Sequence, residues 1–282
     1  MPNTDVSGSR VAYAEAGCGE TVLLLHSSAS TGAQWRSLME ILRPQWRVLV
    51  PDLYGYGETD RRPDPGLPGL ADEVALVDAV LGESAERIHL VGHSYGAAAA
   101  LRFAADRPQR LLSLTLIEPV SFHLLRGAPA RTAERKAFRD VATLAAEVTD
   151  AAAAGEGHRG MARFIDYWNG DGAWHRLRPE MQEMLARQAI TVALDFRAAL
   201  TEPMWLEALR AIAAPTLVLR GSASPRPTRR IADLVAGVLP NAYLQTIEGA
   251  GHMLPLTHRE AVDAAIAGHL FHSAARAQRP AA

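Results

Sequence analysis

Short apolar runs bounded by turn residues recur along the chain, and stretches with helical spacing separate them. Mostly apolar runs of this length are typical of strands that are buried on both faces of a sheet. Strands that alternate with helices favour a mostly parallel, doubly wound α/β fold. The predicted strands are Val22–Leu25, Val48–Val50, Ile88–Val91, Leu114–Ile117, Thr216–Leu219 and Tyr243–Ile247, and the helical patterns beside them include Leu70–Leu81 and Tyr95–Ala105.

The alternation breaks between about Ser121 and Trp205, where strand-like runs stop and Phe138, Val141 and Leu144 recur at helical spacing. This change predicts an α/β core formed by residues 1–120 and 206–282, interrupted by a helical cap at residues 121–205. The last stretch, residues 272–282, is rich in small and polar residues. We expect it to be a flexible tail.

Composition narrows the possible partners. The chain has 29 basic and 31 acidic side chains and a formal net charge of −2, so it lacks the excess positive charge that favours nucleic acid or an anionic bilayer. Its only cysteine, Cys18, excludes an intrachain disulfide and a multi-cysteine metal site. We find neither a signal-peptide pattern nor a run of about 20 apolar residues. We therefore expect a cytoplasmic protein, monomeric or homodimeric, that binds a small molecule and neither nucleic acid nor membrane.

The strongest chemical signal is the G-x-S-x-G run Gly92-His93-Ser94-Tyr95-Gly96. It lies directly after a predicted strand and directly before a predicted helix. In a turn this sharp, small flanking residues relieve crowding and the serine hydroxyl is presented above the sheet. Ser94 is therefore the candidate nucleophile.

A serine hydroxyl needs a base to become a good nucleophile at neutral pH. Among the ten histidines, His252 lies in the glycine-rich loop Glu248-Gly249-Ala250-Gly251-His252, just after the last predicted strand. The carboxyl end of a strand is where sites form in open α/β folds. His252 is therefore the candidate general base.

With these motifs, the chain resembles the α/β-hydrolase superfamily from about Val22 to Leu270. The stretch Leu25-His26-Ser27-Ser28-Ala29 resembles its H-G-x-P loop, which implies that the backbone amides of Ser28 and Tyr95 form an oxyanion hole. Two departures stand out, because Ser27 replaces the usual glycine and Ala29 the common proline. The resemblance also implies that Asp52, in a D-x-x-G-x-G segment, shapes a structural turn.

The third member of the triad departs most from the superfamily pattern. Many members carry an aspartate in a G-x-x-D-P loop, but here that loop reads Gly221-Ser222-Ala223-Ser224-Pro225 and Ser224 occupies the acid position. Some branches instead carry the acid at the end of an earlier strand, as in certain haloalkane dehalogenases and lactone hydrolases. Glu118, directly after Leu114–Ile117, matches that position and is the candidate acid. The alternative is a strand-end glutamate that pairs with an arginine.

Several aromatic side chains are candidates for a substrate pocket. Trp168 and Trp174 lie in the predicted cap, where ordinary cap core is the alternative interpretation. His26 and Trp35 lie in or near the predicted oxyanion loop and complete the candidate pocket.

These residues predict a serine hydrolase that cleaves a carboxylic ester or lactone and requires no cofactor or metal. Serine at the nucleophile position argues against haloalkane dehalogenase and epoxide hydrolase chemistry. Thioesterase, carbon–carbon bond hydrolase and perhydrolase activities on the same triad stay open, since fold and triad do not separate them. An alternative of another class is a non-catalytic ligand-binding protein with this fold.

Overall fold

The computed structural model describes residues 2–62, 69–82, 87–127 and 132–277. Eight strands form one sheet in the order β1-β2-β4-β3-β5-β6-β7-β8, in which β2 pairs antiparallel with both β1 and β4 and all other neighbours pair parallel. The strands are β1 Asn3–Val6, β2 Ser9–Ala16, β3 Thr21–Leu25, β4 Arg47–Pro51, β5 Ile88–His93, β6 Leu111–Ile117, β7 Thr216–Gly221 and β8 Ala242–Ile247.

Helices flank both faces of the sheet and fill the segment between β6 and β7. They are α1 Arg36–Leu42, α2 Leu70–Leu81, α3 Tyr95–Asp106, α4 His123–Gly127, α5 Thr132–Ala153, α6 Gly157–Asn169, α7 Pro179–Ala186, α8 Ala189–Thr201, α9 Arg226–Val238, α10 Leu254–Thr257 and α11 Arg259–Ala277. None of the helices within the described ranges is long and apolar enough to cross a bilayer.

The mostly parallel, doubly wound sheet predicted from the sequence is confirmed, and all six predicted strands are present. The sequence pattern missed β1 and β2. These two strands lie at one edge of the sheet, and β1 has no buried residue, so its composition lacks the apolar signal of the central strands.

Alternate side chains of the central strands pack into two separate parts of the core, one on each face of the sheet. In β3, Leu23 and Leu25 pack with the helices α2 and α3, whereas Val22 and Leu24 pack on the other face with α1 and α11. Because strand side chains alternate in direction, one all-apolar strand stabilises both layers. The layers hold the carboxyl ends of β5, β6 and β8 next to the site described below.

The segment between β6 and β7 contains only helices, 3-10 turns and loops in its described residues, 118–127 and 132–215. Within it, α5 packs against α6 and α8, and α8 also contacts α3 of the sheet layer. We call residues 121–205 the cap segment. The predicted flexible tail is wrong for residues 272–277, which continue α11, where Ser273 is buried; residues 278–282 lie outside the described part of the chain.

Candidate active site

Ser94 lies in a sharp turn between the last residue of β5 and the first residue of α3. Its φ of +56° is in the left-handed region, which residues other than glycine rarely adopt. A Cβ atom at Gly92 would lie 2.3 Å from the carbonyl oxygen of Gly96, so the turn has no room for a side chain there. The two glycines of the motif therefore permit the tight turn that places Ser94 at the carboxyl edge of the sheet.

His252 reaches Ser94 from the loop after β8. Its Nε2 lies 2.9 Å from Oγ of Ser94, and the ring is buried. The backbone carbonyl of His252 accepts a hydrogen bond of 2.9 Å from Nε2 of His93. Burial lowers the pKa of His93 to about 3, so its ring is neutral when it makes this bond. His252 is thus tied to the strand that ends at the nucleophile.

Glu118 is the third side chain of the group, after Ser94 and His252. It follows β6 directly, is fully buried, and places Oε2 3.1 Å from Nδ1 of His252. Burial alone would raise the pKa of Glu118, but the hydrogen bond from His252 and the charge of its ring, with hydrogen bonds from Thr228 and Ser224, lower it. Glu118 is therefore held as a carboxylate against the imidazole.

The missing aspartate of the G-x-x-D-P loop has a structural explanation. The hydroxyl of Ser224 donates a 2.7 Å hydrogen bond to Oε1 of Glu118, and the amide of Gly221 donates another of 2.7 Å to the same oxygen. The loop thus supplies donors to a carboxylate that comes from the adjacent strand β6. Two donors on Oε1 leave Oε2 free to bind the imidazole.

Ser28 and Tyr95, whose amides the sequence predicts as oxyanion donors, both lie in the wall of a cavity that Ser94 also lines. Tyr95 is the first residue of α3, where a backbone amide has no acceptor within the helix. Ser28 lies in the loop after β3, and both residues line the same cavity as Ser94. Both are therefore next to the point where charge would develop on a substrate carbonyl.

The loop that carries Ser28 differs from the superfamily pattern for identifiable reasons. Ser27, in the usual glycine position, donates a 3.0 Å hydrogen bond from its hydroxyl to Oε1 of Gln34. Ala29 has a φ of +56°, which proline cannot adopt. Other local contacts therefore hold this loop in place of the H-G-x-P sequence.

Two cavities meet at Ser94. The inner cavity is small, with about 20 Å³ open to the centre of a water-sized sphere; it is walled by the aromatic rings Phe122, Phe164, Trp168 and Phe196 and also contains Ser28, Tyr95 and Asp195. The outer cavity is wider, about 460 Å³ by the same measure, and its apolar wall includes Met181, Met184 and Leu256. His252 lines the outer cavity, whereas Tyr95 lines the inner one. The nucleophile therefore lies between a small space with aromatic walls and a larger apolar one.

The family model described as "Alpha/beta hydrolase family" matches residues 22–265, a range that contains Ser94, Glu118 and His252. The chain belongs to this alpha/beta hydrolase family. The match covers the sheet from β3 onward together with the cap segment. The resemblance inferred from the motifs is thereby confirmed.

Individual relatives of this hydrolase-family chain differ in how much they share with it. It is 38% identical over 122 residues to the dihydrolipoyllysine-residue acetyltransferase component of the acetoin cleaving system of Cupriavidus necator, which covers 42% of this chain and only 32% of that protein. It is 28% identical over 268 residues to a putative carbamate hydrolase, RutD, of Caulobacter vibrioides, covering 89% and 90% of the two chains. A thermophilic esterase structure from Thermogutta terrifontis superposes with a TM-score of 0.71 at 25% identity, over 96% of this chain and 97% of that one.

Of the four predicted pocket residues, Trp168 lines both cavities of the hydrolase. It also stacks on His252, with ring centroids 4.0 Å apart and an interplanar angle of 28°. This side chain of α6 therefore contacts the imidazole directly and forms a wall for any substrate beside Ser94.

The other three predicted pocket residues line neither cavity, and for them the prediction is wrong. Nε2 of His26 accepts a 2.9 Å hydrogen bond from the amide of Leu53, and burial lowers the pKa of this ring to about 4. Trp35 is buried in the core against β3 and α1. Trp174 packs edge-on against His158 with ring centroids 5.8 Å apart, inside the cap segment. All three side chains are buried and make their packing or hydrogen-bond contacts away from the two cavities.

Asp52 has the contacts of a turn-shaping residue. Its Oδ1 accepts a 2.7 Å hydrogen bond from the amide of Gly32, and Oδ2 accepts one of 3.0 Å from the amide of Glu58. A Cβ atom at Gly57 would lie 2.0 Å from Oδ2, so glycine is required there. These two bonds connect Asp52 to two different loops, and neither bond involves Ser94 or His252.

Sequence reasoning missed Asp195, a buried residue of α8 in the wall of the inner cavity. No local motif marks it, because its partners Ser28 and Tyr56 lie 167 and 139 residues away in the chain.

Nowhere within the described residues do three His, Cys, Asp or Glu side chains group as metal ligands would.

Proposed function

We propose that this chain is a serine hydrolase that cleaves a carboxylic ester or lactone through an acyl-enzyme on Ser94, without a cofactor. One observation carries the proposal: Oγ of Ser94 lies 2.9 Å from Nε2 of His252, whose Nδ1 lies 3.1 Å from Oε2 of Glu118. A hydroxyl, an imidazole and a carboxylate in this order activate serine for attack on a carbonyl carbon. The similar esterase structure supports the same chemistry.

In the first half of the proposed reaction, Oγ of Ser94 attacks the carbonyl carbon while Nε2 of His252 takes the hydroxyl proton. Glu118 stays ionised and stabilises the imidazolium. The carbonyl oxygen becomes an oxyanion and accepts hydrogen bonds from the amides of Ser28 and Tyr95, and losing one such donor typically costs about 3–4 kcal/mol. The intermediate collapses when the bond to the leaving oxygen breaks, and that oxygen takes the proton from His252.

In the second half, water attacks the acyl carbon and His252 takes a proton from it. The new tetrahedral intermediate breaks its bond to Oγ, which recovers the proton from His252, and the carboxylic acid departs. With a lactone, the leaving alcohol is part of the acyl group, so the product is one hydroxy acid.

The two cavities support an orientation for the substrate. His252 lines the outer cavity and not the inner one, and it must protonate the leaving oxygen. The leaving alcohol therefore belongs in the outer cavity. The acyl group then occupies the smaller inner cavity, beside Tyr95 and Ser28. This assignment favours short acyl groups and tolerates larger alcohols.

We extend the proposal to the cap segment, residues 121–205, as the part that selects the substrate. Its residues Phe164, Trp168 and Phe196 line the inner cavity, and Met181 and Met184 line the outer one. These side chains set the shape of the pocket and belong to a segment separate from the strands β5 and β6, after which the nucleophile and the acid lie. The expected partner is a small-molecule ester or lactone.

A fluorophosphonate probe, which reacts with activated serines, tests the proposal together with a panel of short esters, lactones and thioesters. We expect stoichiometric labelling at Ser94, and Ser94→Ala should abolish labelling and hydrolysis together. Ser113→Ala is a matched control, because the Ser113 hydroxyl lies 2.7 Å from Nδ1 of His89 but is fully buried and lines neither cavity. This variant should label normally.

If the folded wild-type chain neither labels nor hydrolyses any member of the panel, the hydrolase proposal is wrong and a non-catalytic ligand-binding role takes its place. Labelling that survives in Ser94→Ala would equally reject Ser94 as the nucleophile.

A further inference from the structure

Asp195 is a carboxylate in the wall of an otherwise largely aromatic cavity. It projects from α8, is 3% exposed, and lines the inner cavity together with Ser94. Its Oδ2 accepts two hydrogen bonds of 2.6 Å, one from the hydroxyl of Ser28 and one from the hydroxyl of Tyr56. One carboxylate oxygen is thus fully engaged by the loops beneath the nucleophile.

The other oxygen, Oδ1, is buried and has no hydrogen-bond partner among the described residues. Its nearest cation, Nη2 of Arg62, lies 3.9 Å away, beyond hydrogen-bond distance. The same Nη2 contacts Oε1 of Glu73 at 2.8 Å and the hydroxyl of Tyr95 at 2.6 Å. This nitrogen is therefore committed to Glu73 and Tyr95, which leaves Oδ1 as an acceptor in need of a donor.

Charge balance leads to the same conclusion. One guanidinium, Arg62, lies between two buried carboxylates, Glu73 and Asp195. Burial raises the pKa of both acids, that of Asp195 to about 7. Buried acceptors that lack a donor destabilise a protein, so each one calls for an explanation. A donor brought by a ligand would satisfy Oδ1.

We propose that Asp195 determines specificity by accepting a hydrogen bond from an O–H or N–H group on the acyl part of the substrate. The substrate class is then a short ester or lactone whose acyl chain carries a hydroxyl or an amino group. This inference rests on the proposed function, because the acyl group is assigned to the inner cavity through the position of His252. The four aromatic rings would hold the carbon skeleton, and Oδ1 would bind its polar substituent.

The test uses 4-nitrophenyl esters of butyrate and of butyrates that carry a hydroxyl, an amino or a methoxy group at carbon 2, 3 or 4. We expect kcat/KM to be about 10- to 100-fold higher for at least one hydroxyl or amino ester than for butyrate. The methoxy ester at that carbon, which has no donor, should lose the advantage. The pH dependence of kcat/KM for the hydroxyl ester, compared with that for the amino ester, distinguishes a neutral donor from an ammonium group.

Asp195→Asn sharpens the test, because an amide keeps the shape and can present NH₂ where Oδ1 stood. Its carbonyl can still accept from Ser28 and Tyr56. We expect the preference for the hydroxyl ester over the methoxy ester to disappear, because the oxygen of either group can accept from this NH₂. Glu202→Gln is the matched control, since Glu202 follows the same helix, is buried, binds Arg102 at 2.6 Å and lines neither cavity. This control should keep the wild-type preference.

Binding by the Ser94→Ala variant separates this inference from the proposed function. Calorimetry with the free acids, butyrate against hydroxybutyrates and aminobutyrates, measures selectivity without any chemical step. Tighter binding of a donor-bearing acid by Ser94→Ala, lost in Ser94→Ala/Asp195→Asn, supports the role of Asp195 even if no ester is hydrolysed. The inference is overturned if the wild-type chain hydrolyses the donor-bearing esters no faster than butyrate and Ser94→Ala binds the donor-bearing acids no more tightly than butyrate. Hydrolysis through Ser94 would then still stand.

Discussion

Oε2 of Glu118 lies 3.1 Å from Nδ1 of His252, although 134 residues separate them in the chain. Glu118 itself has a φ of +49°, an uncommon conformation for this residue, at the carboxyl end of β6. The turn aims the side chain sideways toward the loop after β8. The strand that neighbours the nucleophile strand thus supplies the carboxylate, and the next loop along the sheet supplies hydrogen-bond donors to it.

The first prediction is that Glu118→Gln lowers kcat by about 10³- to 10⁴-fold with a small change in KM. The amide keeps the shape, but it removes the charge that stabilises the imidazolium and fixes the tautomer. Steady-state kinetics on a short ester, with circular dichroism to verify folding, measure the effect.

Ser224→Ala provides the comparison for this variant. It removes one donor to Glu118 but no charge, so activity should stay within about threefold, which corresponds to less than 1 kcal/mol. Retention of most activity by folded Glu118→Gln would show that the acid lies elsewhere.

The second prediction concerns Trp168, which stacks on His252 and lines both cavities. Trp168→Phe should change the order of preference among acyl groups more than it changes the rate on the smallest ester, because it reshapes the cavity wall. Rates on acetyl to octanoyl esters give this order.

Trp174→Phe is the control in the same segment, since Trp174 is equally buried but lines neither cavity. It should lower thermal stability and leave the order unchanged. If both variants slow every substrate by one common factor, Trp168 serves cap stability only.

The third prediction follows from the difference in size between the two cavities. Lengthening the acyl chain beyond the inner cavity should lower kcat/KM by roughly 5- to 150-fold, as overpacking by extra methylenes costs about 1–3 kcal/mol. Lengthening the alcohol should have a smaller effect. Phe196→Ala should restore activity on the longer acyl group, whereas Met184→Ala, in the outer cavity, should not. A steeper dependence on alcohol length would reverse the assignment of the cavities.

Ser94, His252 and Glu118 could be predicted from the sequence because each belongs to a local motif. Each lies directly after a strand or in the short loop that follows one, and the carboxyl ends of parallel strands meet at one edge of the sheet. Their proximity therefore follows from topology. The strands β1 and β2 escaped detection because edge strands with mixed exposure carry a weak apolar pattern.

Side chains of the cap segment could not be assigned in the same way. The sequence predicts a helical cap, but which residue of α8 faces Ser28 and Tyr56 depends on how the helices pack across more than 130 residues of chain. Asp195 was missed for this reason. Trp35 was misassigned because closeness in sequence to the oxyanion loop says nothing about which face of the sheet its ring enters.

The fourth prediction uses the pKa of Asp195, which burial raises to about 7 from 3.8 against the opposing charge of Arg62. Between these values the folded chain holds a proton that the unfolded chain has released, so this group lowers the free energy of unfolding as pH rises through the window. Asp195→Asn has no such titration. Its unfolding free energy relative to wild type should therefore rise between pH 4 and pH 8, by at most about 4 kcal/mol.

Urea unfolding of both chains at several pH values measures this difference. Arg62, Glu73 and the hydroxyls of Tyr56 and Tyr95 surround the carboxyl group and are the same in both chains. A difference that stays constant over the window would mean that Asp195 is already ionised at low pH in the folded state.

The last prediction asks whether the acid can be returned to the loop where the superfamily commonly carries it. Glu118→Asn should be folded and nearly inactive, because asparagine tolerates a positive φ but supplies no charge and is one methylene shorter. In this background Ser224→Asp places a carboxylate where the Ser224 hydroxyl lay 2.7 Å from Oε1 of Glu118. We expect the double variant to recover about 10- to 100-fold of the lost kcat, since a buried carboxylate near Nδ1 of His252 again stabilises the imidazolium. Ser222→Asp in the same background is the control: it adds the same charge to the same loop, but the Ser222 hydroxyl faces Glu248 at 3.0 Å. Equal recovery in both double variants would mean that general negative charge, and not a carboxylate aligned with the imidazole, restores the rate.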